Sequence, residues 1–185
     1  MSNQAPVCDF GWPAPEFELS DSNGRQFRLT DIKGPNGTLV MFICNHCPYV
    51  KAVAARIARD CDEMAQHGIS AIAVMPNDIA TYPADAPDKM KLFAEQHGFA
   101  FPYVYDETQQ VAQAYGTVCT PDFFGFNADL ELQYRGRLDE SRRDTAPPDA
   151  RRELFDAMVQ IAHTGEGPRD QIPSIGCSIK WKETV

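Results

Sequence analysis

Thr38-Leu39-Val40-Met41-Phe42-Ile43-Cys44-Asn45-His46-Cys47-Pro48 is the stretch on which the fold turns. Its first six residues are nearly all apolar, as in a strand covered on both faces in the middle of a parallel sheet. Beyond it, Val50, Val53, Ile57 and Met64 recur at helical spacing, with Arg56, Arg59 and Glu63 between them. An amphipathic helix therefore begins near Pro48, and His67-Gly68 stops it. Ser70 to Met75 is a second continuous apolar strand. Together they form a β-α-β unit, whose crossover is expected to be right-handed. Cys44 and Cys47 fall at the strand-to-helix junction, and two cysteines so spaced are the sequence signature of a dithiol redox centre. A helix start offers unpaired N–H groups and the positive end of a dipole, and both favour thiolate over thiol.

Upstream, Phe17-Glu18-Leu19 and Gln26-Phe27-Arg28-Leu29 alternate apolar and polar around the turn residues Asp21-Ser22-Asn23-Gly24, which predicts a β-hairpin. Residues 1–15 are polar and Pro-rich and read as an arm or loop. Downstream, residues 76–88 have no periodicity and carry Pro76, Pro83 and Pro87. This loop leaves the sheet edge that holds the cysteine pair, the edge where ligand sites of open α/β sheets lie. It is either a wall of a substrate groove or a passive insertion. Helices are expected over 89–97 and 109–115, with a strand at 103–105 between them. Residues 122–126 and 130–135 predict an antiparallel hairpin. A charged loop over 141–149 precedes an amphipathic helix over 152–163. Helices alternating with strands, closed by an antiparallel pair, describe an α/β fold: a mixed central β-sheet flanked by helices on both faces, with an N-terminal β-hairpin and a C-terminal extension. The division expected is an arm over 1–12, one domain over 13–163 and an extension over 164–185 packed on it, with Trp181 anchoring the tail.

The chain has 185 residues, a formal net charge of −9 and six cysteines. The length suits one domain. The acidic balance argues against a nucleic-acid partner, which needs a basic face. No apolar run approaches the roughly 20 residues of a membrane span, and no signal peptide is visible at the start. The expectation is therefore no membrane association and a cytoplasmic location. Six irregularly spaced cysteines there do not suggest a structural disulfide framework.

Three blocks carry a resemblance: Cys44-Asn45-His46-Cys47-Pro48-Tyr49-Val50-Lys51, Val118-Cys119-Thr120-Pro121-Asp122-Phe123-Phe124 and Gly176-Cys177-Ser178-Ile179-Lys180-Trp181. In this order they resemble the peroxiredoxin-like subgroup of the thioredoxin-fold superfamily, in the alkyl hydroperoxide reductase/thiol-specific antioxidant group. The resemblance implies a thioredoxin-like fold in which a cis-proline, Pro121, faces the dithiol. It also implies antioxidant or thiol–disulfide oxidoreductase activity. Two departures stand out. Cys47-Pro48 fits the end of the peroxiredoxin frame Thr-x-x-Cys-Pro, but Cys44 occupies the threonine position, and no arginine lies near Thr120-Pro121. Compared with thioredoxin, Ile43 replaces the usual tryptophan and Thr38 the buried aspartate.

The function expected is reversible exchange through a Cys44–Cys47 redox disulfide, by thiolate attack on a substrate disulfide. By analogy with related dithiol proteins, Cys44 is the exposed attacker and Cys47 resolves. Under the peroxiredoxin frame the roles reverse, and Cys47 reduces hydroperoxides as a thiol peroxidase. A third alternative is a metal-binding module using Cys44, Cys47 and His46 or Cys119, since soft sulfur suits copper(I) or zinc. Supporting roles fall to Pro48, Thr120, Pro121 and His46. As His⁺, His46 would lower a neighbouring thiol pKa, and otherwise it is an exposed spacer. Cys119 is a candidate third redox thiol or simply a buried small residue. Cys177 is a candidate to resolve a disulfide in cis or across a homodimer. No organic cofactor is called for. The partners expected are a protein or small-molecule thiol/disulfide substrate and a dithiol reductant.

Overall fold

A computed structural model describes residues 2–141, 143–144, 146–147 and 149–183. Of the loop expected over 141–149, Arg142, Thr145 and Pro148 lie outside the described residues, as do Met1 and the last two residues of the extension. In chain order the strands are β1 (Ser2–Gln4), β2 (Glu18–Asp21), β3 (Gln26–Arg28), β4 (Gly37–Phe42), β5 (Ile69–Met75), β6 (Tyr103–Tyr105), β7 (Cys119–Thr120), β8 (Asp122–Phe126), β9 (Leu132–Tyr134) and β10 (Ile175–Ser178). The helices are α1 (Leu29–Ile32), α2 (Pro48–Ala65), α3 (Pro87–His97), α4 (Gln110–Ala114) and α5 (Glu153–Thr164).

Seven strands form one mixed sheet in the order β3-β2-β6-β5-β4-β8-β9. Strand β4 lies between β5, parallel to it, and β8, antiparallel to it. All six of its residues are buried, which is why its sequence is an unbroken apolar run and not an alternation. Its side chains still divide by face. Leu39 and Met41, followed by Ile43, join Val50, Val53, Ile57 and Met64 of α2 and the inner faces of α3 and α5. Val40 and Phe42 join Leu29 of α1, Ala112 and Tyr115 at α4, and Phe124 and Phe126 of β8. The result is the thioredoxin-like α/β arrangement, with helices on both faces of a mixed sheet. The apolar stripe on α2 packs one face of β4 and so fixes where the helix begins, directly beyond the end of the strand.

Both chain ends depart from the sequence reading. Residues 2–4, expected in an arm, pair with the C-terminal strand: Ser2 faces Cys177 and Gln4 faces Ile175. Strand β10 in turn pairs antiparallel with β7, Cys177 facing Thr120 and Ser178 facing Cys119. These three strands form a second small sheet in the order β1-β10-β7. Trp181, expected to anchor the tail, is 43% exposed. The tail is held instead by buried Ile179 and by its backbone: Lys180 N–H donates to Asn77 Oδ1 at 2.9 Å, and Asp78 N–H donates to Lys180 O at 2.8 Å.

Candidate active site

Cys47 is the N-cap of α2, with extended backbone at φ −67°, ψ 122°, and Pro48 at the first helical position. Proline is suited there because its fixed φ starts the helix and its absent N–H is not needed. Cys44 follows the end of β4, on the strand side of the same junction. Thr120 completes the site from β7. Its Oγ1 lies 3.3 Å from Cys44 Sγ, and its carbonyl oxygen lies 3.2 Å from Cys47 Sγ. The Thr120–Pro121 peptide bond is cis. Neither cysteine of the pair has any solvent exposure, so the exposure expected of Cys44 at the helix start is not found. On the Cys47 side β10 lies along β7 and brings Cys177 to the pair.

The two thiols differ sharply in acidity. The Cys47 thiol is pulled down from 9.0 to about 5, first by its contact with the Cys44 thiol, which donates to it. Burial opposes this, while the Cys177 thiol and the N–H groups of Val50 and Cys177 add to it. Cys44 moves upward, first through that same contact, then through burial and the Asp85 carboxylate. One proton is therefore held on Cys44 and directed at Cys47, and the thiolate position is the second cysteine of the pair. The Val50 N–H belongs to the first turn of α2, the orphan donor that an N-cap acceptor normally satisfies.

Among the described residues, no guanidinium is among the largest influences on either thiol. Arg135, the arginine nearest Thr120-Pro121 in sequence, is occupied elsewhere. It donates to Asp122 Oδ2 and to Gly116 O, each at 2.9 Å, and its guanidinium sits 4.3 Å from the centre of the Phe124 ring. The departure from the peroxiredoxin frame noted in sequence thus extends to the arrangement around the pair.

A functional residue that sequence reasoning missed is Asp85. It sits in a short turn, Pro83–Asp85, of the loop following β5 and is fully buried. Its Oδ1 accepts the N–H groups of Asn45 at 2.8 Å and His46 at 3.2 Å. Its Oδ2 bonds His46 Nδ1 at 2.6 Å and accepts from Asn77 Nδ2 at 2.9 Å. Burial pushes this carboxyl up, but the His46 and Asn77 hydrogen bonds and the Asn45 N–H together hold it below the usual carboxylate range. Asn45 is clamped as well, its Nδ2 donating to Ala84 O and its Oδ1 accepting from Tyr103. The loop is therefore a wall of the site, and it fixes the two residues between the cysteines. The only sequence signal was its position on the correct sheet edge. Thr38, at the place of the thioredoxin aspartate, receives the Gly34 N–H instead. The buried carboxylate acting on Cys44 comes from Asp85.

His46 is part of this clamp, stacked on Tyr82 at 5.2 Å with 15° between ring planes, and is not a free spacer. Cys44, His46 and Asp85 each bring one donor atom within 4.8 Å of the others. The carboxylate already takes four hydrogen bonds, so the arrangement is a self-satisfied cap rather than an open ligand set. It shares Cys44 and His46 with the set expected in sequence, but Asp85 stands where that set had Cys47. Cys119 is buried with Sγ 3.8 Å from Pro121 O, and burial first and Asp122 second push its thiol up. Cys177 is half-buried and lies at the pair. Cys8 and Cys61 lie away from it, their thiols raised by burial. Among the described residues no helix is long and apolar enough to cross a membrane.

The chain is 28% identical over 116 residues to peroxiredoxin Bcp of Escherichia coli K12, spanning 63% of this chain and 69% of that protein. It is 31% identical over 114 residues to the thiol-disulfide oxidoreductase ResA of Geobacillus thermodenitrificans, spanning 62% of this chain and 61% of that one. A crystal structure of an uncharacterized conserved protein from Geobacillus kaustophilus superposes with a TM-score of 0.93 at 42% identity, over 100% of this chain and 98% of that one. Residues 10–135, from the segment before the hairpin to the end of β9, match the model of the AhpC/TSA family, and the chain belongs to that family.

Proposed function

We propose that the protein is a thiol–disulfide oxidoreductase that cycles Cys44 and Cys47 between dithiol and disulfide. One observation carries this: two cysteines at the N-terminus of α2 converge on the residue before a cis-proline, Cys44 Sγ lying 3.3 Å from the Thr120 hydroxyl and Cys47 Sγ 3.2 Å from the Thr120 carbonyl, and their mutual influence pulls the Cys47 thiol down. At neutral pH Cys47 is then a thiolate, the form that attacks disulfides. Its sulfur attacks one sulfur of a substrate disulfide, and the other substrate sulfur leaves as a thiolate. Cys44 then gives up its proton and attacks Cys47 Sγ, releasing the second substrate thiol and closing the Cys44–Cys47 disulfide. Two electrons have passed to the substrate. A partner dithiol returns them, and no organic cofactor takes part. His46, held by Asp85, and Thr120 position the two sulfurs. Such a cycle suits a reducing compartment such as the cytoplasm, where a cysteine pair turns over and does not persist as a bridge.

The experiment is disulfide exchange with glutathione disulfide, read by alkylation and peptide mapping. The expected result is a Cys44–Cys47 disulfide in the oxidised chain and loss of exchange in Cys47→Ser. Undiminished exchange in Cys47→Ser would remove the reading.

A second reading, reduction of a hydroperoxide by Cys47, is supported by the AhpC/TSA family match and by the similarity to peroxiredoxin Bcp of Escherichia coli. Here Cys47 would take the terminal oxygen as a sulfenic acid, and Cys44 would displace water from it. Stopped-flow peroxide consumption decides: a rate unchanged in Cys47→Ser sinks it.

A further inference from the structure

The pair that carries the proposed exchange is fully buried, yet a partner protein must reach a sulfur. The structure offers a third one. Strand β10 pairs with β7 so that Cys177 faces Thr120, the residue whose hydroxyl and carbonyl touch Cys44 and Cys47. Cys177 and Cys47 thus meet at the same residue, the Cys47 Sγ lying 3.2 Å from Thr120 O, and Cys177 helps to pull the Cys47 thiol down. Cys177 is half-buried, whereas the pair is sealed.

This approach is built into the chain at several points. Gly176 lies so close to the site that a Cβ there would stand 2.0 Å from Thr120 O and 2.5 Å from Thr120 C. Glycine alone lets the strand lie at that distance. Beyond β10, Gln109 Nε2 donates to Lys180 O at 2.9 Å and its Oε1 accepts Lys182 N–H at 2.8 Å. Lys180 is also tied to Asn77, which shares Asp85 with the cap over Cys44. The tail and the loop after β5 thus hold one sulfur at the surface side of the pair.

We propose that Cys177 is a third redox-active thiol, which takes the disulfide from the buried pair and presents it to the reducing dithiol. The proposal rests on the reading of Cys44–Cys47 as the redox pair. Cys177 loses its proton and attacks Cys47 Sγ. The Cys47–Cys177 bond forms, the Cys44–Cys47 bond breaks, and Cys44 leaves and takes up a proton. This step is an isomerisation with no net change of oxidation state. A thiolate of the partner dithiol then attacks the accessible Cys177 Sγ and expels Cys47 as a thiolate. The second partner thiol displaces Cys177, leaving the partner oxidised and all three thiols of the chain reduced.

The electrostatics favour the step in which the partner expels Cys47. In the reduced chain burial, and after it the contact with Cys47, push the Cys177 thiol up to about 11. Oxidation of the pair removes the Cys47 thiolate, so Cys177 ionises more readily only when there is a disulfide to take. Cys47 is also the most acidic thiol of the three, hence the best leaving group for the partner's attack.

The test uses the whole chain and glutathione disulfide as oxidant, with acid quench, alkylation and tryptic mapping. Residues 34–51, which contain both Cys44 and Cys47, have no Lys or Arg before Lys51, and Cys177 falls in residues 170–180. A Cys47–Cys177 bond therefore joins two peptides, and a Cys44–Cys47 bond lies within one. The expected result is the joined pair in Cys44→Ser, in material that runs as a monomer on a non-reducing gel. In Cys177→Ser the Cys44–Cys47 disulfide should still form, but its reduction by reduced thioredoxin should slow by roughly tenfold or more, because the relay sulfur is gone. Reduction of Cys177→Ser at the wild-type rate, or oxidised Cys44→Ser without the joined peptides, overturns the relay while the Cys44–Cys47 reading stands. Absence of a Cys44–Cys47 disulfide in wild type and Cys177→Ser alike overturns both.

Discussion

Replacing Cys44 by alanine tests the electrostatics on which the mechanism stands. In the reduced wild type the Cys47 thiol ionises near 5. Cys8 and Cys177 are pushed up to about 11, and burial or its neighbours move Cys44, Cys61 and Cys119 upward too. A titration of thiolate ultraviolet absorbance should therefore show one acidic step, worth one thiolate per chain, and Cys47→Ser should abolish it. The Cys44 S–H is the largest single influence on Cys47. A hydrogen bond to a charged acceptor is worth about 1.5–3 kcal/mol, so its loss in Cys44→Ala should raise the Cys47 midpoint by about 1–2 pH units. Stability follows with a definite sign. The unfolded thiol keeps its proton up to about 9 and the folded one only to about 5. Between those values the unfolded state binds the extra proton, so reduced wild type gains stability over Cys47→Ser by about 1.4 kcal/mol per pH unit. The gain is present near the unfolded value and vanishes as pH falls through the folded one. Urea unfolding of both proteins across this window measures it. An acidic step that survives in Cys47→Ser, or a flat stability difference, would show that the proton sits on the wrong sulfur in this account.

Other expectations follow from single contacts. Asp85→Ala strands the buried N–H of Asn45 and unties His46 and Asn77, and should cost about 2–4 kcal/mol in urea unfolding; a loss below about 1 kcal/mol would mean that the loop after β5 does not cap the site. Arg135→Leu leaves the fully buried Asp122 without its partner and should cost about 3–5 kcal/mol, most of it recovered by adding Asp122→Asn. A double variant no more stable than Arg135→Leu would trace the loss to packing over Phe124 instead of a stranded charge. Gly176→Val drives a side chain into the Thr120 backbone and should lift β10; if the strain reaches about 1.4 kcal/mol, iodoacetamide should label Cys47 roughly tenfold faster. Unchanged labelling would mean that β10 does not cover the pair.

What could be read from sequence was whatever a local pattern encodes. The β4–α2–β5 unit was legible because β4 is buried on both faces and α2 on one, so continuous and 3.6-residue apolar patterns meet at Cys44-Asn45-His46-Cys47. The strands β1 and β10 were not legible. Ser2–Gln4 and Ile175–Ser178 are short, and their order comes from backbone pairing with each other and with β7, which leaves no alternation of apolar side chains. Asp85 was hidden for a related reason: its four hydrogen bonds are made to residues up to 40 positions away, and an aspartate in a proline-rich loop looks like any other.

The consequence reaches the chemistry. A motif of two cysteines at a helix start predicts an exposed first thiol with the lower pKa, and an isolated helix end leads to no other expectation. Here the order is reversed by groups from outside the motif. The Asp85 carboxylate helps to hold the proton on Cys44, while Cys177 and the end of α2 help to take it from Cys47. The expected exposure is lost too: both sulfurs are buried, and β10 brings Cys177 to the Cys47 side of the pair. The motif therefore supplies the reagents. Which sulfur attacks, and how a partner reaches it, depends on a loop about forty residues downstream and a tail about one hundred and thirty residues downstream, each docked by backbone hydrogen bonds. Variants outside the motif, at Asp85 and Gly176, should accordingly change thiol acidity and access as strongly as variants at His46 within it.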